Sequence, residues 1–278
     1  MLFKYLPPDR VDVLQNLSIR YTPMKSLNDP YESLPLVDTS ELKHNSNLNK
    51  ELQKLDKLWE EQPENEKTLN NRELLDKKKA LLSRLYSNES ATLQIKDKLM
   101  SLFGDHFGIL SLSRSNSNLL MWSHYTNSMK GFVIGFDRDN EMFKRPTPNG
   151  QPTEPRVVTY SDVRKSYKAL SNKDHYSILT SKPLDWAYEQ EERVCMSFMP
   201  PQFKTEYKDD FGSDIYLIPF PNNAILSIYI GCNASRKTKE AIYESIQKNH
   251  IKCKVYETSP SMTHYQLQFK EILLPLAS

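Results

Sequence analysis

The sequence predicts an α+β fold: a β-rich, mixed-sheet body carrying a helical insertion at about residues 41–103. Three observations predict it. Short apolar and aromatic runs with two-residue alternation recur on both sides of the insertion, interleaved with single helical patterns and without a regular strand–helix–strand rhythm. Between Glu41 and Phe103 the composition turns to Leu, Lys, Glu and Asn, with no glycine. The length, 278 residues, suits one domain spanning 1–278 with an insertion inside it.

The elements follow in order. Leu2 to Leu6 reads as a strand stopped by Pro7 and Pro8. Asp9 is expected to cap a short helix reaching about Leu17, followed by a strand from Ser18 to Thr22. Asn28-Asp29-Pro30 is a turn, because Asn and Asp bond their own backbone and Pro fixes φ. In the insertion, Leu48, Leu52, Leu55 and Trp59 lie at helical spacing. So do Leu74, Leu81 and Leu85, or alternatively Leu75, Leu82 and Leu85; Pro63 separates these two helices, and a third is expected over about Ser90 to Phe103. Their charge runs read as solvated faces, and their leucine stripes must dock on the body or pair between subunits.

Strands are expected at Phe107–Ser113, Gly131–Asp137, Val157–Tyr160, Glu189–Phe198, Ile215–Pro219, Ala224–Ile230 and Lys252–Glu257. Helices are expected at Asn118–Ser128 and Lys237–Asn249, and a proline-rich loop over 144–155.

Several function classes lose support from composition. Lys plus Arg number 37 against 35 Asp plus Glu, so no whole-molecule field selects nucleic acid or a membrane surface. No run approaches the ~20 apolar residues of a membrane span, and the N-terminus lacks a signal-peptide core. Cys195, Cys232 and Cys253 form no C-x-x-C pair and read as reduced thiols, so the expected compartment is the cytoplasm. Seven glycines, none in a G-x-G-x-x-G or G-x-x-x-x-G-K pattern, leave no Rossmann or P-loop phosphate cradle. The histidines show no H-x-x-x-H spacing, so no structural metal is expected.

Four segments carry chemistry-bearing residues. On a strand through Glu189–Phe198, alternation puts Val194, Met196 and Phe198 on the core face and Glu189, Glu191 and Arg193 together on the other. Two carboxylates and a guanidinium in a row require solvent, a neighbouring strand or a ligand to meet them. Ser111 and Ser113 share a face opposite Leu110 and Leu112; taken alone, a half-exposed strand with ordinary serines explains them. Met121, Trp122 and Tyr125 cluster on one helix with His124 flanking, a pattern that core packing also produces. Lys4 and Tyr5, with Asn28-Asp29-Pro30-Tyr31-Glu32, form the fourth set, in which Asn28 and Asp29 make the turn itself.

Together these residues resemble a bacterial family known as domain of unknown function 2971. The resemblance rests on Leu2-Phe3-Lys4-Tyr5, Leu27-Asn28-Asp29-Pro30-Tyr31-Glu32 and Leu110-Ser111-Leu112-Ser113. It continues through Met121-Trp122-Ser123-His124-Tyr125, Lys130 to Asp137, Lys182 to Trp186 and Tyr188 to Arg193.

More distantly, the order of Lys4, Ser111-Leu112-Ser113 and Glu189-Gln190-Glu191 is similar to that of ADP-ribosyltransferases of the arginine–serine–glutamate class, with Lys4 where that class carries arginine. That likeness implies an NAD-using enzyme, a toxin or defence effector, with NAD as co-substrate and an acceptor macromolecule that the sequence does not name. By it, Glu191 stabilises an oxocarbenium-like ribose, Glu189 orients the acceptor, and Ser111 and Ser113 position ribose and Glu191. Trp122, Tyr125 or Trp186 stack on a ring, and Lys4 and Arg193 meet phosphates. Tyr5, Asn28, Asp29 and His124 complete the nucleotide-binding set. The same residues also admit a non-catalytic nucleotide- or protein-sensing module, or a metal-dependent nuclease using Glu189 and Glu191.

Overall fold

The computed structural model describes residues 1–32, 36–38, 45–64, 67, 69–87, 107–146, 152–168, 175–197 and 203–273. In chain order these contain β1 (Leu2–Leu6), α1 (Asp12–Asn16), β2 (Ser18–Pro23), β3 (Leu36–Asp38), α2 (Asn45–Glu60), α3 (Leu69–Ser87), β4 (Phe107–Ser113), α4 (Leu119–Tyr125) and β5 (Phe132–Phe136). There follow β6 (Arg156–Val157), β7 (Thr159–Tyr160), β8 (Ser166–Lys168), α5 (His175–Leu179), β9 (Ser181–Lys182), a 3-10 helix Leu184–Glu189, β10 (Glu191–Ser197), β11 (Lys204–Lys208) and β12 (Asp214–Pro219). The chain closes with β13 (Ile225–Ile230), α6 (Arg236–Lys248), β14 (Lys254–Pro260) and β15 (Leu267–Ile272). The fold is α+β.

Among the described residues, eleven strands form one mixed sheet in the order β11-β12-β2-β4-β1-β5-β13-β14-β15, with β10 and β6 branching from β4. Only β13 and β14 pair in parallel within it, because α6 carries the chain between them. Ser235 caps α6 by accepting from Thr238 N at 3.1 Å, and Ile242 and Ile246 face the core one turn apart.

The sheet centre is covered on both faces, which explains near-continuous apolar strands. In β1, Leu2 and Leu6 enter the main core while Phe3 and Tyr5 enter a second one with Met121, Trp122 and Val133. In β5, Phe132, Ile134 and Phe136 face the first and Val133 the second. Helix α4 seals the second face, capped by Asn118, whose side chain accepts from Leu120 N and Met121 N. After α4, Asn127, Ser128 and Met129 all adopt left-handed φ, a tight wrap that returns the chain into β5.

Strand β4 is the branch point. One edge pairs with β10 along its whole length, from Ser197↔Phe107 to Glu191↔Ser113. The other edge is shared: β2 pairs at Thr22↔Ile109 and β1 at Phe3↔Ser113. Ser111 therefore lies opposite the gap between β1 and β2.

Several expectations change in detail. No side-chain bond from Asp9 caps the first helix; a 3-10 turn, Pro8–Val11, precedes α1, and Leu17 ends it at φ 46. Val157–Tyr160 is two short strands with different partners. The leucines of α2 (Leu48, Leu52, Leu55, with Trp59) are half-buried together, and in α3 Leu75 is buried while Leu74 and Leu81 are exposed, which selects the Leu75–Leu82 register. The expected helix at Ser90–Phe103 lies outside the described residues. No helix among the described residues is long and apolar enough to cross a membrane. Cys195, Cys232 and Cys253 are free; burial pushes the Cys195 and Cys253 thiols up to about 12.

Gly131 sits where β5 meets the end of β1. A Cβ there would collide with the Leu6 carbonyl oxygen and come within 2.9 Å of Pro7 Cα, both backbone atoms with little freedom to yield. Gly131→Ala is expected to lower stability by about 1–3 kcal/mol, read as a lower urea midpoint at unchanged slope. An unchanged midpoint would contradict this packing.

Candidate functional site

The site is built around a kink. The segment expected to run as one strand from Glu189 breaks at Gln190, which adopts φ 46 and ends the Leu184–Glu189 3-10 helix. A left-handed non-glycine residue costs ~1–2 kcal/mol, and neighbouring β4 holds it there. Ser113 Oγ donates to the Glu189 carbonyl at 2.7 Å, and Arg114 N donates to the Gln190 carbonyl at 3.0 Å. The kink, not strand alternation, is what turns both the Glu189 and Glu191 carboxylates toward one side.

Both carboxylates, with Glu32, surround two buried cations. Lys182 Nζ lies 2.6 Å from Glu189 Oε2 and 3.5 Å from both Glu191 Oε2 and Glu32 Oε1. Arg193 grips Glu191 with both prongs, Nε to Oε1 at 2.8 Å and Nη2 to Oε2 at 3.0 Å. Its Nη2 also pairs with Glu32 Oε1, and Nη1 donates to the Leu179 carbonyl at 2.8 Å. All five residues are buried, Arg193 to 1% exposure and Glu191 and Glu189 to 3%. An exposed, solvated strand face is therefore excluded for Glu191 and Arg193.

Electrostatics follow from this packing. Burial alone would raise the Glu191 carboxyl, but Arg193 and Lys182, with a Ser111 hydrogen bond, outweigh it and hold the group down at about 2. Burial raises Glu32, only partly offset by Arg193 and Lys182. The two glutamates differ because Glu191 receives both prongs of the guanidinium while Glu32 meets it through one oxygen. Glu32 Oε2 is buried with no hydrogen-bond partner. Burial opposes charge on Lys182 and Arg193, yet the three carboxylates raise Lys182, and Glu191 and Glu32 raise Arg193.

A cavity of about 220 Å³ opens beside this cluster. It is lined by Lys4, Tyr5, Asn28, Ser111, Ser113, Tyr125, Glu189, Glu191 and Arg193, nine of the thirteen residues singled out from the sequence, and also by Glu32 and Lys182. Asn28 Nδ2 donates to Tyr125 OH at 3.0 Å, and Tyr125 OH donates to Glu189 Oε1 at 2.5 Å. Burial, then the Glu189 charge, raise the Tyr125 phenol, so it remains a donor. Lys4 Nζ reaches from β1 into the gap beside β2 and donates to the Ser111 carbonyl of β4 at 2.9 Å, and burial lowers it to about 8.

The remaining four do not line the cavity. Trp122 is fully buried in the second core, its ring edge-on to Tyr5 and its Nε1 donating to the Asn116 carbonyl at 2.7 Å, so it cannot stack on a ligand. His124 is exposed and bonds Tyr188 OH at 3.2 Å. Asp29 Oδ1 accepts from Tyr31 N at 2.9 Å, making the turn itself. Trp186 lies under Lys182, whose ammonium stands 4.6 Å from the ring centre. The hydroxyl of Ser113 serves the kink.

Glu32, Lys182 and Tyr160 escaped sequence reasoning as site residues. Lys182 sits in a two-residue strand and Glu32 just past a turn, places where charged residues are ordinarily solvated. Tyr160 OH accepts from Glu191 N at 2.8 Å. Among the described residues no group of three or more His, Cys, Asp or Glu is arranged to hold a metal ion. Lys182 Nζ stands where a cation shared by the three carboxylates would sit.

Residues 121–194 match the family model described as "Protein of unknown function (DUF2971)". The matched span contains Tyr125, Lys182, Glu189, Glu191 and Arg193, while Lys4, Glu32 and Ser111 precede it. No curated protein and no solved structure matches the chain.

Removing one partner from a buried ion cluster leaves the other charges uncompensated, at a cost of about 3–5 kcal/mol. Arg193→Met is expected to lose that much at pH 7. Because folded Glu191 sits near 2, below its ordinary 4.5, its contribution is full above about pH 4.5 and is lost as pH falls toward 2. The gap between wild type and variant should therefore close on acidification, measured by urea midpoints across pH. A gap independent of pH would contradict the pairing.

Proposed function

We propose that the cavity breaks the N-glycosidic bond between nicotinamide and ribose in NAD and passes the ADP-ribosyl group to an acceptor. The observation that carries this reading is the meeting of Lys4, Ser111, Glu189 and Glu191, remote in sequence, around one cavity walled by Tyr5 and Tyr125. Departure of nicotinamide takes the bonding pair with it, needs no proton, and leaves an oxocarbenium-like ribose.

Glu191 fits the electrostatic part. It is ionised, fixed in place by Arg193, and shielded from water, where a charge acts more strongly on a developing cation. Glu189 fits the orienting part. Each of its oxygens accepts one protein hydrogen bond, from Tyr125 or from Lys182, and a carboxylate offers about four acceptor sites in all. It can hold a ribose hydroxyl or take the proton of an acceptor as that acceptor bonds to the ribose carbon. The rings beside them are Phe3, Tyr5 and Tyr125 rather than Trp122 or Trp186. A cavity of about 220 Å³ suits the nicotinamide riboside end, since whole ligand pockets run to ~300–1,000 Å³. Modification of a macromolecule in this way fits the toxin or defence effector that the resemblance implies.

One observation favours a second reading, a non-catalytic nucleotide-sensing module. Glu189 and Glu191 are already paired with Lys182 and Arg193, an arrangement able to bind without reacting. The experiment follows nicotinamide release from NAD in the presence of cell extract. Glu191→Gln is expected to slow release by about 10²–10³-fold, and EDTA to leave it unchanged. Binding of NAD without release by the wild type favours the sensing module; release abolished by EDTA favours a metal-dependent hydrolase.

A further inference from the structure

A second cleft, about 640 Å³, adjoins the smaller cavity, and Glu32 and Lys182 line both. The two spaces thus meet at an ion pair. That pair contains the buried Glu32 Oε2, an acceptor that no protein group satisfies. Buried carboxylate oxygens are ordinarily hydrogen-bonded, so an unmet one beside two cavities points to a ligand hydroxyl or water.

The larger cleft presents three kinds of group. Arg164 and Lys165 are exposed cations, the guanidinium 5.6 Å from the ring centre of Tyr31 and the ammonium 5.7 Å from that of Tyr167. Asp162 and Asp185 are exposed carboxylates on the same lining. Tyr31 leaves more than half its surface open, at 57%. A balanced set of charges excludes a simple polyanion site. It matches a ligand that combines a diphosphate for the cations, hydroxyls for the carboxylates and a planar base for an open phenol ring. Guanidinium pairs with phosphate, and carboxylates hold ribose hydroxyls in dinucleotide sites.

We infer that the larger cleft is a nucleoside diphosphate site. On the NAD reading, on which the assignment of the whole dinucleotide rests, it seats the adenosine diphosphate half, and nicotinamide riboside occupies the smaller cavity with which it shares Glu32 and Lys182. The volumes agree: the smaller space falls below the usual ligand range and the larger falls within it.

The test is titration calorimetry of ADP with the full chain, alongside nicotinamide release from NAD. Wild type is expected to bind ADP, and the double variant Arg164→Ala/Lys165→Ala to bind it about tenfold more weakly. The same variant should raise KM for NAD by a similar factor. Arg236→Ala/Lys237→Ala, which removes two exposed cations at the start of α6, should leave ADP binding unaltered. No ADP binding by wild type, or equal weakening by both double variants, overturns the inference even if nicotinamide is released. ADP binding weakened only by the first variant, with no nicotinamide release, sustains the cleft and sinks the glycosidic reading instead.

Discussion

The arrangement depends on one constraint: charge that is buried must be balanced where it lies. Glu32, Glu189 and Glu191 are three carboxylates out of water, and each would be costly alone. Lys182 and Arg193 answer them from β9 and β10. This ties together the turn after Asn28-Asp29-Pro30, the short β7–β9 pair, the kink at Gln190 and the start of β10. Such a cluster contributes little net stability compared with apolar packing of equal volume.

The sheet topology supplies the space for it. Strand β4 gives one edge to β10 and divides the other between β1 and β2, leaving Ser111 opposite a gap. Lys4 crosses that gap from β1 to the Ser111 carbonyl. The lysine that resemblance assigned to a phosphate thus gives one of its three donors to the frame of the cavity that it lines. The Ser113 hydroxyl likewise spans to the Glu189 carbonyl and sustains the kink. Ser111 and Ser113 thus both act through their hydroxyls, Ser111 on the Glu191 carboxylate and Ser113 on the Glu189 backbone carbonyl.

Much of the fold was legible because strands buried on both faces stand out as short, near-continuous apolar runs bounded by turn residues. Phe107–Ser113 was read to its ends, and Phe132–Phe136 and Ile225–Ile230 to within a residue of theirs. Strand β15 was missed because its residues alternate weakly and three of its six are charged or amide-bearing. The Glu189–Glu191 pair was legible as a pair, yet its geometry was not. Alternation would have set both on one strand face, whereas a left-handed Gln190 does so by bending the chain. Trp122 misled for a plain reason: a large ring beside site residues fills the core as readily as it stacks on a ligand. Lys182 and Glu32 stood within motifs of the family resemblance but carried no sign of a charge cluster, since their partners lie in other segments and only the fold brings the charges together.

Whether the five charged residues act as one unit is tested most directly by a double-mutant cycle between Lys182 and Glu189. Stabilities of Lys182→Met, Glu189→Gln and the double variant, from urea denaturation at pH 7, give the coupling. A shared cluster requires about 1–3 kcal/mol of interaction between the two sites. Additivity within roughly 0.5 kcal/mol would mean that the ammonium and the carboxylate are indifferent to each other, and the charge-balanced cavity wall would not exist.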